Sequence, residues 1–187
     1  PSRKPWRTPQ FLQDRPLTGR EKGIATHLFM QFVRYEACTT REGIRQELAR
    51  LQAEKFLTPR QCEAVDTEKI LALFSSGLGT RILGAKNLRR EFKFSILTDA
   101  AAYDPAAVGE QVMLQGVVDC FWQEPDGIVI LDFKTDYIHG DLQQKAARYA
   151  PQLRAYAKAL SCIYKLPVKK TILYFFSAGC AAEIDPE

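Results

Sequence analysis

The chain has no membrane span: no run approaches the ~20 consecutive apolar residues that crossing a bilayer requires, and its N-terminus has no secretory pattern. The cytoplasm is the expected location, with no membrane partner. Paired cysteines are missing too. Five cysteines, at 38, 62, 120, 162 and 180, are odd in number and widely spaced with no C-x-x-C, which argues against a disulfide framework and a zinc site. Buried thiols are the expectation. No Walker A sequence, the phosphate-cradling loop of P-loop NTPases, occurs in the chain. The chain opens on Pro and not Met, as a piece of something longer would. Strong charge of one sign is also absent, since a net +4 is too small by itself to imply nucleic acid.

What is present is ordinary globular material: 187 residues, 46% apolar and 26% charged, enough for one domain that buries roughly 70% of its unfolded surface. Residues 1–17, with four prolines and four basic residues, read as an arm or linker packed through Trp6, Phe11 and Leu12, ahead of a single domain over 18–187. Charge is unevenly placed. From Asp141 to Lys170, seven basic residues (Lys145, Arg148, Arg154, Lys158, Lys165, Lys169 and Lys170) face one acid. This is either the footprint of a phosphate backbone or a solvated helix face.

The chemistry concentrates in residues 115–137, QGVVDCFWQEPDGIVILDFKTDY. Two apolar runs, Gly116-Val117-Val118 and Ile128-Val129-Ile130-Leu131, read as strands, and each ends on an acid, Asp119 and Asp132. Glu124-Pro125-Asp126-Gly127 between them has type I turn chemistry, so an antiparallel hairpin is predicted. A loop symmetric about Pro125-Asp126 sets Asp119 across from Asp132, about 4.5–5.5 Å away. A three-residue loop would set it across from Phe133. Two carboxylates at that spacing repel by roughly 3 kcal/mol at an effective dielectric of ~20, which calls for a compensating cation. Alternation puts Asp132 and Lys134 on one face. Hard oxygen donors suit Mg²⁺, with Mn²⁺ as substitute. Such a metal acidifies water while a lysine stabilises phosphoryl charge, and the chemistry that follows is phosphodiester hydrolysis. The bland alternative is a surface Asp132–Lys134 ion pair with a stray Asp119.

The order G-V-V-D, hairpin, D-F-K-T-D resembles the signature of the PD-(D/E)XK nucleases in their RecB-like form, and more narrowly the C-terminal nuclease domains of AddA-type helicase-nucleases. The resemblance implies further roles. Gly23-Ile24-Ala25-Thr26-His27 is similar to a G-T-x-x-H helix whose His ligates the metal, with Ile24 in place of the usual Thr; alone, His27 reads as a core residue. Glu91 resembles the acid opening the first core strand, although an exposed Glu between basic neighbours fits the sequence as well. Gln152 and Tyr156, at i and i+4, resemble a Q-x-x-x-Y motif that orients site and DNA; without it, they are a surface and a core residue. The metal set implied is His27, Asp119, Asp132 and the main-chain carbonyl of Phe133, with Lys134 catalytic. Iron-sulfur clusters of some relatives need four cysteines, three close together, a pattern that Cys162 and Cys180 do not meet, so none is expected.

The implied function is exonuclease trimming of one unwound strand at a double-strand break, as a step in DNA repair by recombination. Implied partners are DNA, in single-stranded form, the helicase part of the parent chain and an AddB-like partner subunit. A degenerate nuclease fold that holds DNA or docks another protein of the complex is the alternative, and an RNA or nucleotide substrate remains open.

Secondary structure completes the expectation. Thr18-Gly19-Arg20-Glu21 has capping-box spacing for a helix over 20–36 buried through Ile24, Leu28, Phe32 and Tyr35. A helical pattern runs from Thr40 to Leu83, with Ile44, Leu48 and Leu51 on one face, a Thr58-Pro59 start, then Val65, Ile70, Leu73 and Phe74, ending near Gly77 and Gly79. Leu88–Leu97 alternates as a half-buried strand, with Leu88, Arg90, Phe92, Phe94 and Ile96 on one side. Residues 98–111 read as a loop, Gly140-Asp141 and Pro151 as helix starts, and Lys170–Ser177 as a last strand. The fold class is therefore α/β: a restriction-endonuclease-like core, a central mixed sheet flanked by helices, with extra N-terminal helices.

Overall fold

The computed structural model describes residues 15–102 and 104–186. The expected arm at 1–17, with Trp6, Phe11 and Leu12, falls outside the described residues apart from its last three positions.

Five strands form one mixed sheet in the order β1 (Arg89–Asp99), β2 (Gln111–Glu124), β3 (Gly127–Lys134), β4 (Val168–Phe175), β5 (Cys180–Ile184). Neighbours are antiparallel except β3 and β4. β3 is buried along nearly its whole length, as its unbroken apolar run requires of a strand covered on both faces. One face carries α1 (Gly19–Phe32), a 3₁₀ turn (Tyr35–Thr39), α2 (Arg41–Ala53), α3 (Pro59–Ala64), α4 (Thr67–Phe74) and α5 (Gly77–Gly84). They pack on Trp122, Val129, Leu131, Phe133, Ile172 and Tyr174. The other face carries α6 (Leu142–Ala147) and α7 (Ala150–Tyr164), packed on Val118, Phe121, Ile128, Ile130, Leu173 and Phe175. The expected architecture, a mixed sheet between helices with additional N-terminal helices, is what forms.

Local chemistry sets the helix starts. Thr18 accepts from Glu21 N while the Glu21 carboxylate accepts from Thr18 N at 2.8 Å, the reciprocal satisfaction of orphan amides that defines a capping box. Thr58 and Gln61 repeat it, with Pro59 in the first turn, and Asp141 caps α6.

Several expectations need correction. α1 stops at Phe32, and Tyr35 is buried from the 3₁₀ turn instead. Its buried residues are Gly23, Ala25, Phe29 and Met30, whereas Ile24 is 47% exposed and lines a neighbouring groove. The helical pattern does reach Leu83, but Gly77 and Gly79 open its last helix where an end was expected, since Ser76 accepts from Gly79 N at the start of α5. The stretch read as a loop over 98–111 is shorter, since β1 runs to Asp99 and β2 begins at Gln111. β5 was not foreseen.

Candidate active site

The site forms where β2 and β3 part. Their ladder runs from Glu124↔Gly127 to Cys120↔Leu131 and stops. Continued by one pair, this register places Asp119 opposite Asp132, as the two-residue loop requires; the three-residue alternative does not occur. Beyond it β2 stays with β1, and β3 stays with β4. Phe133 N–H, which the parted strand can no longer serve, donates to Asp119 Oδ2 at 2.9 Å. The carboxylate thereby satisfies a backbone donor that would otherwise be orphaned.

A second irregularity lies on the other side of β2. The β1–β2 ladder pairs Arg90↔Cys120 and Phe92↔Val118 and skips Glu91 and Asp119. Glu91 has φ +49°, a left-handed conformation that costs a non-glycine residue on the order of 1–2 kcal/mol. Both strands change faces there. Leu88 packs on the α1–α5 side and Arg90 donates to Met30 O and Val33 O, at 3.1 and 2.6 Å, while Phe92, Phe94 and Ile96 pack on the α7 side. The expectation of one continuous face from Leu88 to Ile96 is thus corrected, and the cause is the left-handed turn at Glu91.

Two close approaches complete the assembly. A Cβ on Gly23 would lie 2.6 Å from Thr135 Oγ1, so glycine lets α1 sit against the end of β3 and carries His27, one turn on, to the gap. His27 Nδ1 is 3.5 Å from Asp119 Oδ2. A Cβ on Gly116 would lie 2.8 Å from the Phe94 ring and 3.0 Å from Tyr156 Cε1, which ties the strand carrying Asp119 to α7.

Asp132 is 2% exposed. Burial first, and the neighbouring Asp119 charge second, raise its carboxyl above the usual range. Asp119 is raised as well, by burial, against the lowering effect of His27. Lys134 Nζ stands 2.6 Å from Asp132 Oδ2. The approach lacks hydrogen-bond alignment, and that oxygen is buried without a hydrogen-bond partner. Lys134 donates instead to Gln152 Oε1 at 3.1 Å, and Gln152 Nε2 donates to Tyr156 Oη at 2.7 Å. Glu91, raised by burial, lines with His27, Gly23 and Thr135 an open groove of about 440 Å³. His27, Glu91, Asp119, Asp132, Phe133, Lys134, Gln152 and Tyr156 are thus gathered around one gap.

Sequence comparison agrees with this geometry. The sequence profile of the PD-(D/E)XK nuclease superfamily matches residues 5–183. The chain belongs to that superfamily. It is 39% identical over 188 residues to the A subunit of the ATP-dependent helicase/nuclease of Bacillus mycoides (strain KBAB4), covering 95% of this chain and 15% of that protein. It is 40% identical over 195 residues to the same-named protein of Bacillus cereus (strain Q1), covering 98% and 16%. The chain therefore spans about one sixth of the length of these relatives. The solved structure of SSO0001 aligns with TM-score 0.41 at 20% identity, over 86% of this chain and 64% of that one. The resemblance expected from D-F-K-T-D and Q-x-x-x-Y is borne out, and family and relatives alike support a nuclease.

Nucleases of this superfamily generally use divalent metal ions. Among the described residues no group of three or more His, Cys, Asp and Glu side chains stands as a formed metal cage. The donor chemistry nevertheless fits a hard cation: a buried Asp132 and a partly buried Asp119, both with raised affinity for a proton, the former with an oxygen that takes no aligned hydrogen bond. Lys134 is the positive charge now nearest that oxygen.

The basic segment proves less available than its composition suggests. Lys145 pairs with Asp136, Lys169 with Glu124 and Asp126, and Lys170 with Glu183. Asp136 and Tyr149, which the sequence did not single out, stand beside Lys134. Asp136 was legible as the second acid of D-F-K-T-D; Tyr149, three residues before Gln152, had no separate signal. Among the described residues no helix is long and apolar enough to cross a membrane.

Proposed function

We propose that this chain cuts DNA by hydrolysing phosphodiester bonds with the help of Mg²⁺, which Mn²⁺ replaces. The observation that carries the proposal is the meeting of His27, Asp119, Asp132 and Lys134 in the gap between β2 and β3, with the buried Asp132 Oδ2 facing only the Lys134 ammonium. His27, Asp119, Asp132 and the main-chain carbonyl of Phe133 would hold the cation. When bound, it supplies positive charge that acidifies a nearby water and offsets charge on the phosphoryl group.

The remaining work belongs to the chain's own groups. Lys134 brings an ammonium to the developing negative oxygen. Gln152 takes a hydrogen bond from Lys134 and fixes its direction, and Tyr156 fixes Gln152 in turn. Asp119 holds the end of β3 through Phe133 N–H and so keeps both carboxylates in register. Glu91 is the further acid on the approach to the site.

The relatives' names support a setting inside an ATP-dependent helicase/nuclease. In that setting the chain trims one unwound strand exonucleolytically during double-strand-break repair, beside an AddB-like partner subunit. The test is incubation with end-labelled single- and double-stranded DNA, with Mg²⁺ and with EDTA. Cutting is expected only with the metal, is expected to favour single strands, and is expected to vanish in Asp132→Ala and Lys134→Ala variants that melt as folded proteins. Undiminished hydrolysis in either variant refutes the assignment. A folded chain that cuts nothing, and whose Mn²⁺ binding heat does not depend on Asp119, would be a DNA-holding or docking module instead.

A further inference from the structure

We propose that Tyr149 is a positioning residue for Lys134, its ring seating the ammonium and Asp136 fixing the ring. The inference rests on the proposed role of Lys134 in cutting. Lys134 Nζ lies 4.3 Å from the centroid of the Tyr149 ring, within the range where the negative face of an aromatic ring attracts a cation. Tyr149 Oη donates to Asp136 Oδ2 at 2.8 Å. Asp136 is held in its turn: Lys145 pairs with its carboxylate, and Ser177 Oγ donates to its carbonyl at 2.8 Å. The ring is thus tied at its far end to the loop that follows Lys134.

The arrangement solves a problem peculiar to a lysine. Its flexible four-carbon stem ends in a point charge with no preferred plane, so one hydrogen bond to Gln152 leaves the ammonium free to swing. Tyr149 is the N-cap residue of α7 and Gln152 lies in its first turn, so a single helix end delivers a ring face and an amide oxygen to the same ammonium. The ring seat also does not depend on Asp132. When the Asp132 oxygens are engaged by another cation, Lys134 keeps a place close to them.

The test uses the whole chain labelled with ¹³C-lysine, in which the Lys134 ε-CH₂ signal is assigned by its loss in Lys134→Arg. A ring at 4.3 Å is expected to move that signal upfield of the other lysines, without any substrate or metal present. Tyr149→Phe keeps the ring and loses its bond to Asp136, so the shift and the cutting rate should fall only part of the way toward those of Tyr149→Leu. Tyr149→Leu should abolish the shift and lower kcat by about tenfold or more while KM for DNA stays within about twofold, since the loss is one of orientation. Asp136→Asn should reduce both in the same direction. Melting within about 3 °C of native certifies each fold. An unshifted Lys134 signal in the native chain overturns the proposal, as does a folded Tyr149→Leu that cuts at the native rate. Normal cutting by Lys134→Ala would defeat the functional assignment instead, and the ring-current measurement would still decide the seat.

Discussion

Replacing Asp132 by Asn should make the metal-free protein more stable while abolishing its activity. Burial and the Asp119 charge raise the Asp132 carboxyl from 3.8 to about 6, even with Lys134 beside it. The native state therefore binds this proton more tightly than the unfolded chain does. Stability then rises as pH falls through about 6 toward 3.8, and is lost as pH rises back through that window, fully so above about 6. At pH 8 the ionised side chain costs the fold on the order of 1–3 kcal/mol, since each pKa unit corresponds to about 1.4 kcal/mol. Asn has the shape of the protonated acid and escapes that cost, and the cycle already includes the lost attraction to Lys134. For a domain of this size the gain corresponds to roughly 3–9 °C in Tm. Thermal unfolding in EDTA at pH 8 and at pH 5, followed by circular dichroism, measures it. The variant should melt higher than native at pH 8, by about half as much at pH 5, and level with it only below about 3.8, where the unfolded chain also binds the proton. Added Mg²⁺ should raise the native Tm and leave the variant unmoved. A variant less stable than native at pH 8, or a difference independent of pH, would show that Asp132 is not held against its ionisation.

Two further outcomes follow from the parted strands. Glu91→Gly removes a side chain from a φ of +49° and should stabilise the fold by about 1 kcal/mol in urea titrations, while slowing cutting if the carboxylate serves the site; a destabilised variant sinks the strain argument. Asp119→Ala should be less stable than Asp119→Asn by about 1–3 kcal/mol, because Asn keeps an acceptor for Phe133 N–H and Ala leaves it unpaired; equal melting of the two would show that the bond contributes nothing.

The hairpin and its register were legible because Pro125-Asp126-Gly127 allows few loops and because β3 is apolar from end to end. Thr18, Thr58 and Asp141 announced their helices through cap chemistry, which depends only on near neighbours in the chain. What stayed hidden depends on tertiary context. Nothing local in Arg90-Glu91-Phe92 says that the strand changes faces; that follows from Arg90 reaching Met30 and Val33, some sixty residues earlier. β5 is short, and its residues Cys180-Ala181-Ala182-Glu183-Ile184 alternate too weakly to read as a strand. Within the site, the acids and Lys134 stood out as charge inside apolar runs. Tyr149 did not, because an aromatic at a helix start reads as core until Lys134 is seen above it.

Four irregularities of this fold coincide at one place. A left-handed glutamate, a ladder broken at Asp119, a buried oxygen without a partner and two carboxyls displaced toward protonation all border the same gap. The left-handed glutamate and the displaced carboxyls raise the free energy of the chain, and neither the Lys134 ion pair nor the Phe133 bond removes that cost in full. Local violations of this kind persist where a bound species recovers the energy. A divalent cation at a hundred times its dissociation constant stabilises the state that binds it by about 2.7 kcal/mol, the same size as the penalty worked out for Asp132 alone. The instability of the empty gap and the proposed affinity for a hard cation both depend on the Asp132 charge, so removing it should abolish both together.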